Sequence, residues 1–161
     1  MAEHLIISGG SKDELYAELI PQIISVVEME SDAVANMANV AACIQEAFGV
    51  WWTGFYRVKD GELVLGPFQG PLACTRIKQG RGVCGTAWAE GKTIVVPDVD
   101  EFPGHIACSS ASRSEIVVPF YKDGAVAGVL DIDSENLNTF DDVDKKWLER
   151  LIASVQSRIA D

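Results

Sequence analysis

Two Asp-Gly dipeptides, each set between runs of strand-forming residues, constrain the fold of this chain most strongly. The runs lie at about 50–58 and 62–68 around Asp60-Gly61, and at about 115–121 and 125–133 around Asp123-Gly124. Asp-Gly between such runs is a strong hairpin signal, because both residues tolerate a positive φ. The sequence therefore predicts a mostly antiparallel sheet.

Helical patterns precede and follow the hairpins. Residues 12–29 predict a first helix with a break or kink at Pro21, and a second helix follows the cap signal Ser31-Asp32 and ends at Gly49. Later signals predict a short helix near 84–90 that Gly91 ends, and a strand at 93–96. Thr139 and Asp142 form a cap signal for the last helix.

Helices, hairpin strands and a final helix in this order predict an α+β fold, with helices on one face of the sheet. The loop-rich residues 70–113 would cover the other face and leave a ligand pocket, since long loops in compact domains are commonly functional. A length of 161 residues fits one domain over 1–161. Its parts would be helices at about 12–48, a site-bearing region at about 50–133 and a C-terminal helix at about 139–160.

Charge and hydropathy narrow the classes of partner. The net charge is −11, from 13 basic and 24 acidic residues, and no basic patch occurs, so nucleic acids and anionic membranes are not expected partners. Residues 1–12 do not resemble a secretion signal, and no apolar run reaches the roughly 20 residues of a membrane span. We therefore expect a cytoplasmic protein, in which clustered cysteines indicate catalysis, redox sensing or metal binding.

The four cysteines differ in their surroundings. Cys84 lies between glycines at the start of the short helix, where a helix N-terminus favours the thiolate. Cys108 follows His105 in a loop, which suits a nucleophile, although His105 could equally be structural. Cys74 begins a polar segment, and the three thiols allow three pairings that spacing does not decide. Cys43, among apolar residues of the second helix, is predicted to be a buried core thiol.

Carboxylates interrupt the two strands of the second hairpin. Alternation along 125–133 directs Leu130 and Ile132 to the helices, and places Ala127, Val129, Asp131 and Asp133 on the face covered by loops. A two-residue turn would pair Glu115 with Ile132 and direct it to the helices. A three-residue loop, Lys122-Asp123-Gly124, would place Glu115 opposite Asp131. We predict the three-residue loop, because it gathers three acids into one pocket.

Clustered carboxylates do not all ionise readily, so the pKa of at least one should rise. Such a cluster offers both a proton donor near neutral pH and a negative site for an ammonium group. Trp52 and Tyr56 share a strand face and would give the pocket a flat apolar wall.

Two further patterns carry less weight. Residues 80–85 match the dinucleotide fingerprint GxGxxG, but the following helix is too short for a strand–helix–strand unit. The cysteines and His105 lack a CxxC pair and the spacing of a zinc site. Neither a nucleotide nor a metal is predicted.

A series of blocks between Trp52 and Trp147 follows one order and spacing. The blocks are 54–56, 65–70, 73–77, 80–86, 102–108, 112–119 and 128–134. Together they resemble the free methionine-R-sulfoxide reductases, which are stand-alone GAF domains. The resemblance implies a catalytic cysteine at Cys108, a resolving cysteine at Cys74 and a third redox thiol at Cys84. The pocket residues that it implies are Trp52, Tyr56, Glu115, Asp131 and Asp133.

The implied reaction reduces free L-methionine-(R)-S-oxide through a cysteine sulfenic acid and an intramolecular disulfide, which a thioredoxin-type dithiol recycles without a cofactor. The alternative is a GAF module that binds a small molecule or senses redox state, with a reversible disulfide but no turnover. The first and last helices carry apolar stripes. These stripes would either form a homodimer interface or pack against the sheet of the same molecule.

Overall fold

The computed structural model describes residues 4–105 and 111–161. The elements of these segments, in chain order, are α1 (Lys12–Glu28), α2 (Ala33–Phe48), β1 (Trp52–Lys59), β2 (Glu62–Gln69), β3 (Arg76–Lys78), α3 (Gly82–Glu90), β4 (Ile94–Val96), a 3-10 turn (Val99–Glu101), β5 (Ser114–Lys122), β6 (Ala125–Ser134) and α4 (Asp142–Ile159). None of the helices described has the length and apolar character needed to cross a membrane.

The strands form one sheet in the order β3-β2-β1-β6-β5-β4, and every strand pair in the described segments is antiparallel. Helices α1, α2 and α4 bury their apolar stripes together with one face of the sheet, in a core that includes Leu19, Phe55 and Leu151. The predicted α+β class with helices on one face is confirmed. Because these stripes are buried within the molecule, they give no support to the helix-mediated homodimer.

Local capping explains most helix boundaries. Asp32 caps α2 through its side chain, and Gly49 ends that helix in the left-handed conformation, both as predicted. The prediction of a helix break at Pro21 is wrong, because α1 continues through this residue. Burial of the apolar face of α1 outweighs the one hydrogen bond that proline removes. The cap of α4 is Asp141, in a capping box with Asp144, rather than Thr139 or Asp142.

The second hairpin has the two-residue turn and not the three-residue loop that we predicted. Lys122 pairs with Ala125 across Asp123-Gly124, and both turn residues have positive φ. Tyr121 then pairs with Val126 but Phe120 pairs with Gly128, so Ala127 is one extra residue in β6. This bulge shifts the register by one, and Glu115 lies opposite Asp133 rather than Ile132 or Asp131.

The bulge also divides the side chains of β6 differently from simple alternation. Ala127 packs against the helix-side core, which corrects its predicted place on the loop-covered face. Val129 lies in a second core between the sheet, α3 and the loops, together with Trp52, Tyr56 and Cys84. The acids Asp131 and Asp133 follow on that same side, so the three-acid grouping stands although its predicted turn was wrong.

Candidate functional site

A pocket opens on the loop-covered face of the sheet, beneath α3 and the 72–77 segment. It is lined by all five residues that the sequence predicted for substrate contact: Trp52, Tyr56, Glu115, Asp131 and Asp133. Strand pairing explains this convergence. Glu115 pairs with Asp133, and Asp133 pairs in turn with Trp52, so the three side chains form one row across β5, β6 and β1.

The three carboxyl groups lie close together, and Asp133 is half-buried whereas the other two are buried. Glu115 and Asp131 are each only 5% exposed. Burial raises the pKa of Glu115 and of Asp133 well above the usual range, and the neighbouring carboxylates raise both further. Burial also raises the pKa of Asp131, although hydrogen bonds from Glu115 and Cys84 oppose the rise. The cluster therefore resists full ionisation, and the predicted rise in pKa of at least one carboxyl group is confirmed.

Cys84 lies against this cluster and is not the thiolate that its helix position predicted. Burial raises the pKa of the Cys84 thiol well above its usual value, and the charges of Asp131, Glu115 and Asp133 add to the effect. Burial and these charges outweigh the effect of the N-terminus of α3, a helix without a side-chain cap. The thiol hydrogen-bonds to Asp131, so Cys84 is a protonated donor within the cluster.

The cluster also has the composition of a ligand set for a divalent cation. Ligand atoms of Cys84, Glu115 and Asp131 lie within 4.8 Å of one another. Hydrogen bonds join these groups, and the shared protons explain why the groups lie so close together. A cation would have to displace those protons. One oxygen, Asp131 Oδ1, has no hydrogen-bond partner in the described parts of the chain and remains available to a ligand.

Aromatic rings form the wall of the pocket beside the three acids. The Trp52 ring stacks on Tyr56 with centroids 6.0 Å apart and on Phe68 at 5.3 Å. Gly54 pairs with Asp131, and a Cβ on Gly54 would collide with the Trp52 ring. The missing side chain at Gly54 therefore lets the indole lie flat beside the acids, which confirms the predicted shared face of Trp52 and Tyr56.

The cysteines separate into bonded and free. Cys74 is disulfide-bonded, whereas Cys43 and Cys84 are free. The carbonyl of Cys74 accepts a hydrogen bond from the Tyr56 hydroxyl at 2.8 Å. Cys108 lies outside the described residues. Cys43 was predicted to be buried but is only half-buried on α2, at the edge of the helix-side core.

Two basic pocket residues received no binding role from the sequence. Arg81, at the N-cap of α3, and His105 are the only basic residues that line the pocket in the described segments. Arg81 belongs to the GxGxxG-like stretch that we set aside as a nucleotide signature. The available signal was chemical, because an amino acid ligand carries a carboxylate that needs a positive partner. Ser112 also lines the pocket and donates to Asp133 Oδ1 at 3.3 Å.

Comparison with known proteins places these features in a wider group. The GAF domain family matches residues 34–160. GAF domain-containing protein A of Dictyostelium discoideum is 58% identical over 94% of this chain and 97% of its own. Free methionine-R-sulfoxide reductase of Escherichia coli is 44% identical over 93% and 92%. A solved Neisseria meningitidis free methionine-R-sulfoxide reductase in complex with its substrate superposes with a TM-score of 0.96, at 57% identity over 98% and 96%.

Proposed function

Because the chain belongs to the GAF domain family, and to the same family as the free methionine-R-sulfoxide reductases, we propose that it reduces free L-methionine-(R)-S-oxide to methionine with cysteine thiols. The observation that carries this proposal is the pocket itself. It combines three carboxyl groups whose pKa values are raised, an aromatic wall and a disulfide-bonded cysteine at its rim.

Each part of the substrate has a chemical counterpart in the pocket. The rings of Trp52 and Tyr56 pack against the S-methyl end, and their shape helps to select the R over the S sulfoxide. The acids Glu115, Asp131 and Asp133 bind the ammonium group and donate a proton to the sulfoxide oxygen. Arg81 receives the substrate carboxylate. A peptide-bound methionine sulfoxide lacks both end charges, which accounts for preference for the free amino acid.

The proposed redox steps balance without a cofactor. Protonation of the sulfoxide oxygen makes the sulfur electrophilic, and the Cys108 thiolate attacks it. The oxygen passes to the Cys108 sulfur as the S–O bond of the substrate breaks, so methionine leaves and Cys108 becomes a sulfenic acid. The Cys74 thiol then displaces that oxygen as water and forms a disulfide. A thioredoxin-type dithiol reduces the disulfide by exchange, which places the reaction in a reducing compartment such as the cytoplasm.

We propose different roles for Cys74 and Cys84 because the two cysteines differ in bonding and burial. Cys74 is disulfide-bonded, while Cys84 is free and buried with a raised pKa. A buried thiol held by Asp131 attacks slowly, because the thiolate is the nucleophile in exchange. We therefore assign Cys74 as the first resolving cysteine and keep Cys84 as a reserve thiol that must leave the acid cluster to react.

A coupled assay tests this function. Oxidation of NADPH through thioredoxin reductase and thioredoxin should follow free methionine-R-sulfoxide, and the S epimer should react at least roughly tenfold more slowly. Cys108→Ser should abolish turnover, whereas Cys43→Ser, a thiol outside the pocket, should retain it. Absence of turnover with the R epimer, with a reversible disulfide still formed, would identify a redox-sensing GAF module instead.

A further inference from the structure

Two aromatic side chains hold the segment that carries the disulfide-bonded cysteine. Trp52 Nε1 donates to the Pro71 carbonyl at 3.1 Å, and the Tyr56 hydroxyl donates to the Cys74 carbonyl at 2.8 Å. Just beyond Cys74, the N–H of Leu65 in β2 donates to the Thr75 carbonyl at 3.0 Å. The backbone around Cys74 is thus attached to the same side chains that form the wall of the pocket.

The wall that provides this attachment is rigid. The Trp52 ring is stacked between Phe68 and Tyr56, and a Cβ on Gly70 would come within 2.7 Å of it. Tyr56 is 2% exposed, and its position in the middle of β1 fixes the direction of its ring. A rigid donor sets the position of its acceptor, so the Tyr56 hydroxyl limits where the Cys74 backbone can lie.

We propose that the Tyr56 hydroxyl positions Cys74 for disulfide formation, so that Tyr56 is a positioning residue for the resolving step as well as a wall of the pocket. This inference rests on the proposed function. In the step concerned, the Cys74 sulfur attacks the sulfur of the Cys108 sulfenic acid. The S–S bond forms, the S–O bond breaks, and the oxygen leaves as water with the thiol proton.

The chemistry of Tyr56 suits a donor role. Burial raises the pKa of Tyr56 and the charge of Asp131 raises it further, so the hydroxyl keeps its proton throughout the working pH range. The hydroxyl points at a backbone carbonyl of the resolving segment. The ring alone would suffice for a wall, and the hydroxyl therefore performs a separate task that a Tyr→Phe change can isolate.

The test separates sulfoxide reduction from disulfide formation in a single turnover. Reduced wild-type enzyme and reduced Tyr56→Phe are each mixed with methionine-R-sulfoxide. Free methionine, sulfenic acid trapped by a cyclic diketone and remaining thiols are then measured over time. The readout is the delay between methionine release and disulfide formation, which compares the two steps within one protein and so allows for any change in substrate binding by Tyr56→Phe. Disulfide formation should slow roughly tenfold, the effect of losing one buried hydrogen bond that orders the attacking group.

A matched control is available in the same chain. Tyr121 donates its hydroxyl to the Gly91 carbonyl outside the pocket, and Tyr121→Phe removes a bond of the same kind at an exposed site. That variant should form methionine and disulfide at wild-type rates. Thermal unfolding of both variants then separates loss of positioning from loss of folding, because a purely structural effect would lower Tm without a lag between methionine and disulfide.

The outcomes decide the proposal. Disulfide formation at the wild-type rate in Tyr56→Phe would overturn it, and so would equal slowing of both steps, which would assign the hydroxyl to sulfoxide chemistry. If wild type releases no methionine, the proposed function fails, but the inference is still tested with hydrogen peroxide. Peroxide converts the Cys108 thiol to a sulfenic acid and water, and the same delay in disulfide formation is expected in Tyr56→Phe.

Discussion

At the scale of single residues, neighbours across the sheet determine chemistry more than position along the chain. Cys84 begins a helix, which alone favours a thiolate, but burial beside Asp131 and Glu115 raises its pKa instead. Glu115 stands in an apolar strand, and its role appears only when Asp133 pairs opposite it. The raised pKa values are thus produced by the packing of several carboxyl groups around one cavity.

Glu115→Gln tests the donor role, because it keeps the size of the side chain and removes its transferable proton. We expect kcat to fall roughly 100-fold or more, the usual contribution of a general acid. The rate of the wild-type enzyme should decline as pH rises through the raised pKa of Glu115, and the variant should lose this alkaline decline. Stopped-flow measurement of methionine formation between pH 6 and pH 10 would record both effects.

The same substitution has an opposite consequence for stability. A carboxyl group whose folded pKa is raised contributes stability that is present below its unfolded pKa and is lost as pH rises through the folded value. Glu115→Gln should therefore raise Tm at pH 8, and Glu101→Gln, on an exposed residue of the 3-10 turn, should change neither Tm nor rate. A wild-type kcat in Glu115→Gln would remove Glu115 from the chemistry.

At the scale of elements, one extra residue in β6 decides which side chains reach the pocket. The turn Asp123-Gly124 alone would direct Glu115 into the helix layer, and the bulge at Ala127 returns it to the acid row. Gly128 lies beside this bulge. A Cβ there would meet the Tyr56 carbonyl and the Phe120 ring, so only glycine fits between the strands.

Gly128→Ala should destabilise the fold by about 2–4 kcal/mol, because the added methyl group must displace backbone as well as a ring. Urea unfolding followed by tryptophan fluorescence would measure the change. Gly49→Ala is the matched control, since a Cβ there meets open space and costs only the left-handed strain, about 1 kcal/mol. Equal losses in the two variants would show that the close packing at Gly128 is unimportant.

The sequence predicts those features of this fold that depend on residues close together along the chain. The caps at Asp32 and Gly49 depend on residues a few positions apart, and the sequence predicts them. At Asp123-Gly124 the sequence predicts the hairpin but not its two-residue turn. The bulge at Ala127 depends on how Phe120 packs over Gly128, which no local pattern reveals. Five of the pocket-lining residues were predicted by resemblance and by face, whereas Arg81 was not, because its motif was considered only for nucleotides.

At the scale of the whole molecule, the sheet separates a structural side from a chemical side. Its helix-side core is almost entirely apolar, whereas the other side carries the acids, Cys74 and Cys84. The first and last helices, α1 and α4, pack against each other on the structural side of the sheet. A buried polar contact joins them: Asp144 accepts from Tyr16 Oη and from Lys12 Nζ, each at 2.6 Å.

Asp144→Asn should destabilise the whole domain by about 2–3 kcal/mol, because it removes the charge that Lys12 meets and weakens the capping box of α4. Lys12 is partly exposed, so solvent screening keeps the loss below that of a fully buried pair. Tyr16→Phe removes only the hydroxyl, and a double-mutant cycle with Asp144→Asn should give a coupling of about 1–2 kcal/mol.

Asp142→Asn provides the comparison, because Asp142 is an exposed acid in the first turn of the same helix and should cost under about 0.5 kcal/mol. Chemical unfolding of the four variants and wild type at pH 7 would give these values. Single-turnover reduction of the sulfoxide should stay at its wild-type rate in Asp144→Asn below the unfolding transition, since the contact lies across the sheet from the pocket. Strictly additive losses would show that Tyr16 and Asp144 are not coupled, and parallel loss of activity and stability would show that the two sides of the sheet are not separate.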